Sequence, residues 1–418
     1  MTETLAEEPE TVPSDDRMTF TPTRAEGLAR LGAFLPRAGR AYQANRNADL
    51  GPGDRAATSL LSPWMSHGLI GVEEAVRAVR GAHDANDSFK LVSELFWRAY
   101  FQGHLEWKPD VWHAYLDERD GAFAEMQGNA GLQTAWEAAT EGRTGIDAFD
   151  AWAKELVETG FLHNHTRMWF SSIWIFTLKL PWTLGADFFL RNLIDGDAAS
   201  NTLNWRWTAG LHTRGKTYLA TKSNIKRYTD GRFAPEDLSK TAEPLEDPKQ
   251  LHAVKALDLP EDALPDGKFA LLIHENDLIP ETLPLEGRKP DLVIGLARPD
   301  ARSPRPVSPL VKDFTAAAVG DALTRGAGAF DCQTEDWTPD RRLADIMAAH
   351  GLDTLVVSYL GQGWVRDATR DELNDFAADH DCVRIVRALD RATWPHAKAG
   401  YYGVKKKIDN VLKILEID

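Results

Sequence analysis

Leu193-Ile-Asp-Gly-Asp-Ala-Ala-Ser-Asn-Thr-Leu-Asn-Trp-Arg-Trp207 is the stretch on which the reading of this 418-residue chain turns. Asp195, Asp197, Asn201, Asn204, Trp205 and Trp207 put more polar and aromatic weight here than a connecting loop needs. Asp195 and Asp197 offer oxygen ligands to a hard cation, but no third carboxylate follows at loop spacing, so an EF-hand type of site fails.

Upstream, the text is helical from Thr23 to about Leu219, with apolar residues at helical spacing over 25–34, 72–81, 89–105, 146–158 and 167–178. Of 14 tryptophans, 11 fall before residue 210, where indoles serve as core filler or as plates for a flat ligand. Glu94, Trp97 and Arg98 occupy i, i+3 and i+4, hence one helix face. Thr58-Ser-Leu-Leu-Ser-Pro63 is a hydroxyl-rich loop before a helix start, ordinarily a cap but able to offer N–H groups to an anion. In His163-Asn-His165 the two histidines are two apart, off a common helical face, and nothing completes a metal set; no metal site is expected.

Downstream, five prolines between Pro235 and Pro265 mark a linker, with a short helix expected near Leu251 to Leu257. Beyond it, short apolar runs (269–274, 292–294, 354–359, 382–386) alternate with helical patterns (310–325, 341–350, 370–379, 404–415), which argues a parallel sheet covered on both faces. The expected fold is therefore an all-helical domain over 19–235, after a disordered tail over 1–18, then a linker over 236–266 and a Rossmann-like parallel α/β domain over 267–418. Glu275-Asn-Asp-Leu278 and Gly361-Gln-Gly-Trp364 are the loops where a ligand of that sheet would sit. Trp394-Pro-His-Ala-Lys-Ala-Gly-Tyr-Tyr402 leads into Lys405-Lys-Lys-Ile and reads first as the solvated start of a basic helix.

Composition narrows the function classes. Two cysteines, Cys332 and Cys382, exclude a disulfide framework and a four-cysteine iron–sulfur cluster. No run of 18 apolar residues exists, and the first ten residues carry acids and no arginine, so a cytoplasmic chain without a membrane span is expected. A net charge of −15 does not suggest a nucleic-acid binder, yet residues 201–240 hold eight bases against three acids, and local positive charge can serve a phosphate backbone.

Taken together and in order, Tyr42…Arg46, Thr58-Ser-x-Leu-Ser-Pro63, Glu94-Leu-x-Trp-Arg98, Glu141-Gly-Arg-Thr-Gly145, His163-Asn-x-x-Arg-Met168 and Leu193-Ile-Asp-Gly-Asp-x-Ala-x-Asn201 with Trp205-x-Trp207 resemble the flavin domain of the photolyase/cryptochrome family over residues 20–235. The resemblance implies bound FAD folded into a U. It implies Tyr42, Thr58, Ser59, Leu61 and Ser62 as diphosphate and ribityl cradle, Arg98 and Asn164 as flavin contacts, Arg167 paired with Asp195, Asp197 beside the ring edge, and Asn201 facing flavin N5. A neutral amide there tolerates negative charge on the reduced ring, which a carboxylate would repel. Glu94, Trp97, Asn164, Met168 and Trp207 correspond to the surfaces that hold a flipped-out cyclobutane dimer.

The implied activity is that of a deoxyribodipyrimidine photolyase, a carbon–carbon lyase in which excited reduced FAD passes an electron to a pyrimidine dimer in damaged DNA. The alternative is a cryptochrome-like blue-light photoreceptor. A monomer is expected, and a second antenna chromophore of pterin or deazaflavin type is an open expectation. Two features depart from the family pattern. The α/β domain, which usually precedes the flavin domain, follows it here. Trp205 and Trp182 match the first two members of the family's tryptophan relay, but the third site, near Met126 to Asn129, lacks an indole, leaving Trp112, Trp169 or Trp174 as exits. His165 also stands where an arginine is common, which is expected to weaken a DNA phosphate contact.

Overall fold

The structure, a computed structural model, describes residues 19–247 and 252–417. The tail expected over 1–18, and Leu251 at the start of the expected linker helix, lie outside the described residues. Among the described residues no helix is long and apolar enough to cross a membrane.

The first part is helical, as its periodicity demands. Its spine is the helix Ala85–Trp107, whose Leu91, Val92, Phe96, Ala99 and Tyr100 are buried. It stops where Lys108 precedes Pro109, because proline pushes the residue before it out of the helical region. The helices Asp110–Gly128 and Ala198–Thr208 pack against it, and Trp182–Asn192 packs on those two. The greasy run after Arg167 is not one helix to Leu178: Asn164–Ser172 is α-helical, and Ile173–Thr177 widens into a π turn in which Leu178 N–H reaches Ile173 C=O at 2.9 Å.

The second part is a five-stranded parallel sheet in the order β3-β2-β1-β4-β5, with β1 Ala270–His274, β2 Leu292–Leu296, β3 Gln333–Asp336, β4 Thr354–Ser358 and β5 Asp381–Ile385. Central β1 and β2 are buried along their whole length, which is why they read as continuous apolar runs. β3 is an unexpected strand: Gln-Thr-Glu-Asp at the sheet edge has no apolar signature, and it pairs because its neighbour β2 offers a free edge.

Three further expectations change. Residues 252–257 are not helical; they are tied to the helical part where Lys255 N–H donates to Trp107 C=O at 2.8 Å. The helix expected over 404–415 is two short ones, Tyr401–Lys405 and Ile408–Ile414. The stretch from Ala388 to Lys405 does not stay with the sheet but packs along Ala85–Trp107. Gly103 permits this approach, since a Cβ there would stand 2.6 Å from the Trp394 ring, and Trp107 Nε1 donates to Trp394 C=O at 2.8 Å.

His67 joins the two parts. Its Nδ1 lies 2.8 Å from Pro63 C=O and its Nε2 lies 3.1 Å from Thr315 Oγ1, a pairing that neutral imidazole satisfies by donating to the carbonyl and accepting from the hydroxyl. Burial, then the Arg302 charge, pushes its pKa down from 6.5 to about 3. The unfolded chain therefore binds the extra proton between those values, so stability is level above pH 6.5 and falls as pH drops below it. Lowering pH from 6.5 to 5 should cost about 2 kcal/mol at this site, at ~1.4 kcal/mol per pH unit. Thermal melts at pH 7.5, 6.5 and 5 check this; a His67→Gln variant should show a shallower dependence.

Candidate FAD-binding site

A cavity of about 700 Å3 opens between Ala85–Trp107, Asn164–Ser172 and Ala198–Thr208, in the upper half of the ~300–1,000 Å3 range of small-molecule sites. Tyr42, Thr58, Ser59, Leu61, Ser62, Glu94, Trp97, Arg98, Asn164, Arg167, Met168, Asp195, Asp197, Asn201, Trp205 and Trp207 all line it; Trp182 does not.

The Leu193–Trp207 stretch builds one wall. Asp197 caps the Ala198–Thr208 helix, its Oδ1 accepting from Ser200 N–H at 2.7 Å, while its Oδ2 receives Arg98 Nη1 at 2.9 Å. Arg98 is thus turned away from Glu94, its neighbour in sequence, and its other nitrogen donates to Ser66 C=O at 3.0 Å. Arg167 donates to Asp195 Oδ2 at 2.7 Å. The second Asp195 oxygen is buried with no partner among the described residues, and so is Trp205 Nε1. Unpaired buried polar atoms are costly, and both belong to residues lining the cavity, so this wall is suited to a ligand that supplies a donor to one and an acceptor to the other. Asn201 gives its amide nitrogen to Ala186 C=O at 2.9 Å, which leaves its carbonyl end for the cavity.

The opposite wall comes from earlier elements. Leu60 holds φ at +55°, a left-handed conformation rare for a residue with a side chain and the kind of strain that collects at ligand clamps. Glu94 pairs with Lys90 and lies 3.8 Å from Arg46 Nε. Burial, reinforced by the Glu94 charge, raises the Tyr42 pKa well above its ordinary value and keeps the phenol protonated. His165 is half-buried: it stacks on Trp169 at 4.3 Å, with Nδ1 3.1 Å from Asn47 C=O. Glu141 and Arg143 of the Glu141–Gly145 motif pair with each other on the surface, away from the cavity lining.

Trp205 packs edge-on against Trp174 at 6.2 Å and Phe189 at 5.1 Å. Gly185 makes room: a Cβ there would stand 2.3 Å from the Trp205 ring. The ring neighbour of Trp182 is Tyr115 at 5.7 Å, followed by Trp112 at 5.4 Å from Tyr115.

Two parts of the site escape sequence reasoning. Arg302, 1% exposed and set in the loop after β2, donates to Leu193 C=O at 3.1 Å from beneath the Asp195–Asp197 turn and lies 3.7 Å from the fully buried Glu275. Ala399, Gly400 and Tyr401, far along the chain, close one side of the cavity, and Tyr401 stacks on Trp97 at 3.7 Å. Nothing local marks Arg302. The aromatic Trp394–Tyr402 stretch is a signal, but it reads equally well as a packed helix start.

Residues 91–235 match the family model described as the FAD binding domain of DNA photolyase. The chain is 32% identical over 239 residues to a deoxyribodipyrimidine photo-lyase of Synechococcus, covering 51% of this chain and 46% of the relative. It is 35% identical over 202 residues to that of Thermus thermophilus, covering 47% and 45%, and 28% identical over 251 residues to a rice cryptochrome DASH, covering 53% and 40%. Among solved structures, a class III photolyase from Agrobacterium tumefaciens is similar at 25% identity and a TM-score of 0.41, covering 50% of this chain and 43% of that one. Over residues 91–235 the chain is similar to the FAD binding domain of DNA photolyase, and its relatives include both photolyases and cryptochrome DASH proteins. It spans about half the length of the curated relatives it matches.

Removing one partner of a buried ion pair leaves an uncompensated charge, which costs about 3–5 kcal/mol. Arg302→Met should therefore lower the melting temperature by that equivalent and also reduce retained flavin, since the Leu193 carbonyl loses its support. Denaturant unfolding with flavin absorbance on the same samples measures both.

Proposed function

We propose that this chain is a light-driven DNA repair flavoprotein that splits cyclobutane pyrimidine dimers. The observation that carries the reading is that one cavity is lined both by the residues matched to flavin contacts, Asp195, Asn201 and Arg167, and by those matched to dimer contacts, Glu94, Trp97, Met168 and Trp207. FAD, when bound, supplies blue-light absorption and the transferred electron. The chain's residues supply the rest. Arg167 and Asp195 fix the edge of the site, Asn201 presents an uncharged oxygen to it, and Trp97, Met168 and Trp207 give an apolar seat for an extruded pyrimidine dimer. No strong acid or base is required; proximity and exclusion of water are the contributions.

Photoreduction would begin at Trp205, whose ring lines the cavity. Trp174 touches Trp205, but its other ring contacts, Phe149, Phe170 and Phe188, are all buried. Trp169 stacks on Trp152 and His165 instead. The run Trp182–Tyr115–Trp112 ends where Trp112 Nε1 donates to half-buried Asp367 at 2.7 Å, which favours Trp112 as the outlet.

A photoreceptor role is the second reading, favoured by His165, half-buried against Trp169, standing where an arginine is common. A light-dependent repair assay on a dimer-containing single strand separates the two: repair by the reduced protein is expected, and its absence with flavin fully reduced favours the photoreceptor. The crevice at the carboxyl ends of β1 and β4, about 120 Å3, is smaller than the ~300 Å3 lower bound of usual ligand sites, so the reading does not lean on an antenna chromophore there.

Trp205→Phe should slow light-driven flavin reduction at least about tenfold, the rate equivalent of ~1.4 kcal/mol, while leaving FAD bound and repair by pre-reduced protein nearly intact. Trp112→Phe should slow photoreduction too, and Trp169→Phe should not; transient absorption on the three variants distinguishes the routes.

A further inference from the structure

We infer that the Gly400–Lys407 turn of the sheet-bearing part is a contact for single-stranded DNA at the mouth of the flavin cavity, one that reaches the strand flanking the lesion. The inference rests on the repair reading and adds to it a substrate surface from outside the helical part. Tyr401 anchors the turn: its ring stacks on Trp97 with 13° between planes, and its hydroxyl lies 2.7 Å from Ser93 Oγ. Gly400 and Tyr401 line the cavity, so the residues just after them stand at its rim.

Lys405 is one helical turn beyond Tyr401 and hence on its face, with Nζ 5.6 Å from the centre of the Phe89 ring, next in sequence to the cavity residue Lys90. Tyr402 is 67% exposed, with Lys406 Nζ 4.4 Å above its ring. Lys405, Lys406 and Lys407 are exposed and form no ion pair among the described residues, in a chain whose net charge is −15. An exposed ring interleaved with unneutralised ammonium groups is the combination that binds single strands, with stacking for bases and cations for phosphates. The rim carboxylate, Glu94, is already paired with Lys90.

The test uses the FAD-loaded full chain and fluorescence anisotropy of a labelled oligothymidylate, undamaged or carrying one thymine dimer, across ~50–200 mM salt. Replacing Lys405, Lys406 and Lys407 together by Ala should reduce the slope of log affinity against log salt by about 2, at ~0.7 per phosphate contact on single strands. Tyr402→Ala should weaken binding about five- to a hundredfold, the loss of one stacked base, with the slope unchanged. Flavin content and melting temperature should match the parent, since these side chains lie on the surface. Parent-like affinity and slope in both variants overturn the inference and leave the repair reading standing. A parent that binds damaged and undamaged strands alike, with the slope lost in the triple variant, supports the inference and removes lesion recognition. A parent that binds neither strand overturns both.

Discussion

A single buried cation holds the molecule together where it matters. Arg302 comes from the loop after β2, yet its guanidinium lies beneath the turn that carries Asp195 and Asp197, donating to Leu193 C=O and facing Glu275 and the Trp364 ring. A charge placed so deep is tolerable only with a partner, and Glu275 is itself fixed by Arg298 N–H at 2.6 Å and Trp364 Nε1 at 3.0 Å. Next to it Ser303 donates to Asp187 at 2.6 Å, and Asp187 is held by Arg191. The sheet therefore sets the position of the turn on which the cavity wall is built.

The cavity's other requirement is room for large rings. Trp205 and Trp174 meet over Gly185, at which any side chain would collide with both. A glycine inside the helix Trp182–Asn192 costs about 0.5–1 kcal/mol relative to alanine, and close packing of the indoles offsets that cost. The same principle operates at Gly103, where Trp394 enters against Ala85–Trp107 and brings the chain after it to the cavity rim.

Order along the chain matters less than these contacts. The sheet follows the helical part, and the connecting residues up to Asp247 and from His252 are pinned to it, through Arg206–Asp247 at 2.6 Å and Lys255–Asp110 at 2.8 Å. The return of Ala388–Lys405 to the long helix makes the two parts share one wall of the site, so the helical residues alone would leave the cavity open at Tyr401.

The sequence by itself determined whatever is encoded within a turn or two of helix. Apolar runs made the two central strands legible, period 3.6 revealed the long helix, and the polar and aromatic weight of Asp195, Asp197, Asn201, Trp205 and Trp207 marked a stretch that does line the cavity. Tertiary structure decided what depends on partners distant in the chain. Polar Gln333–Asp336 became a strand only because β2 had a free edge, and Arg98 turned to Asp197 rather than to Glu94. Arg302 and Tyr401 joined the site although nothing in their neighbourhoods announces it. Local propensity is set by near neighbours in sequence, whereas a buried charge or a stacked ring is stabilised by whatever the fold brings beside it.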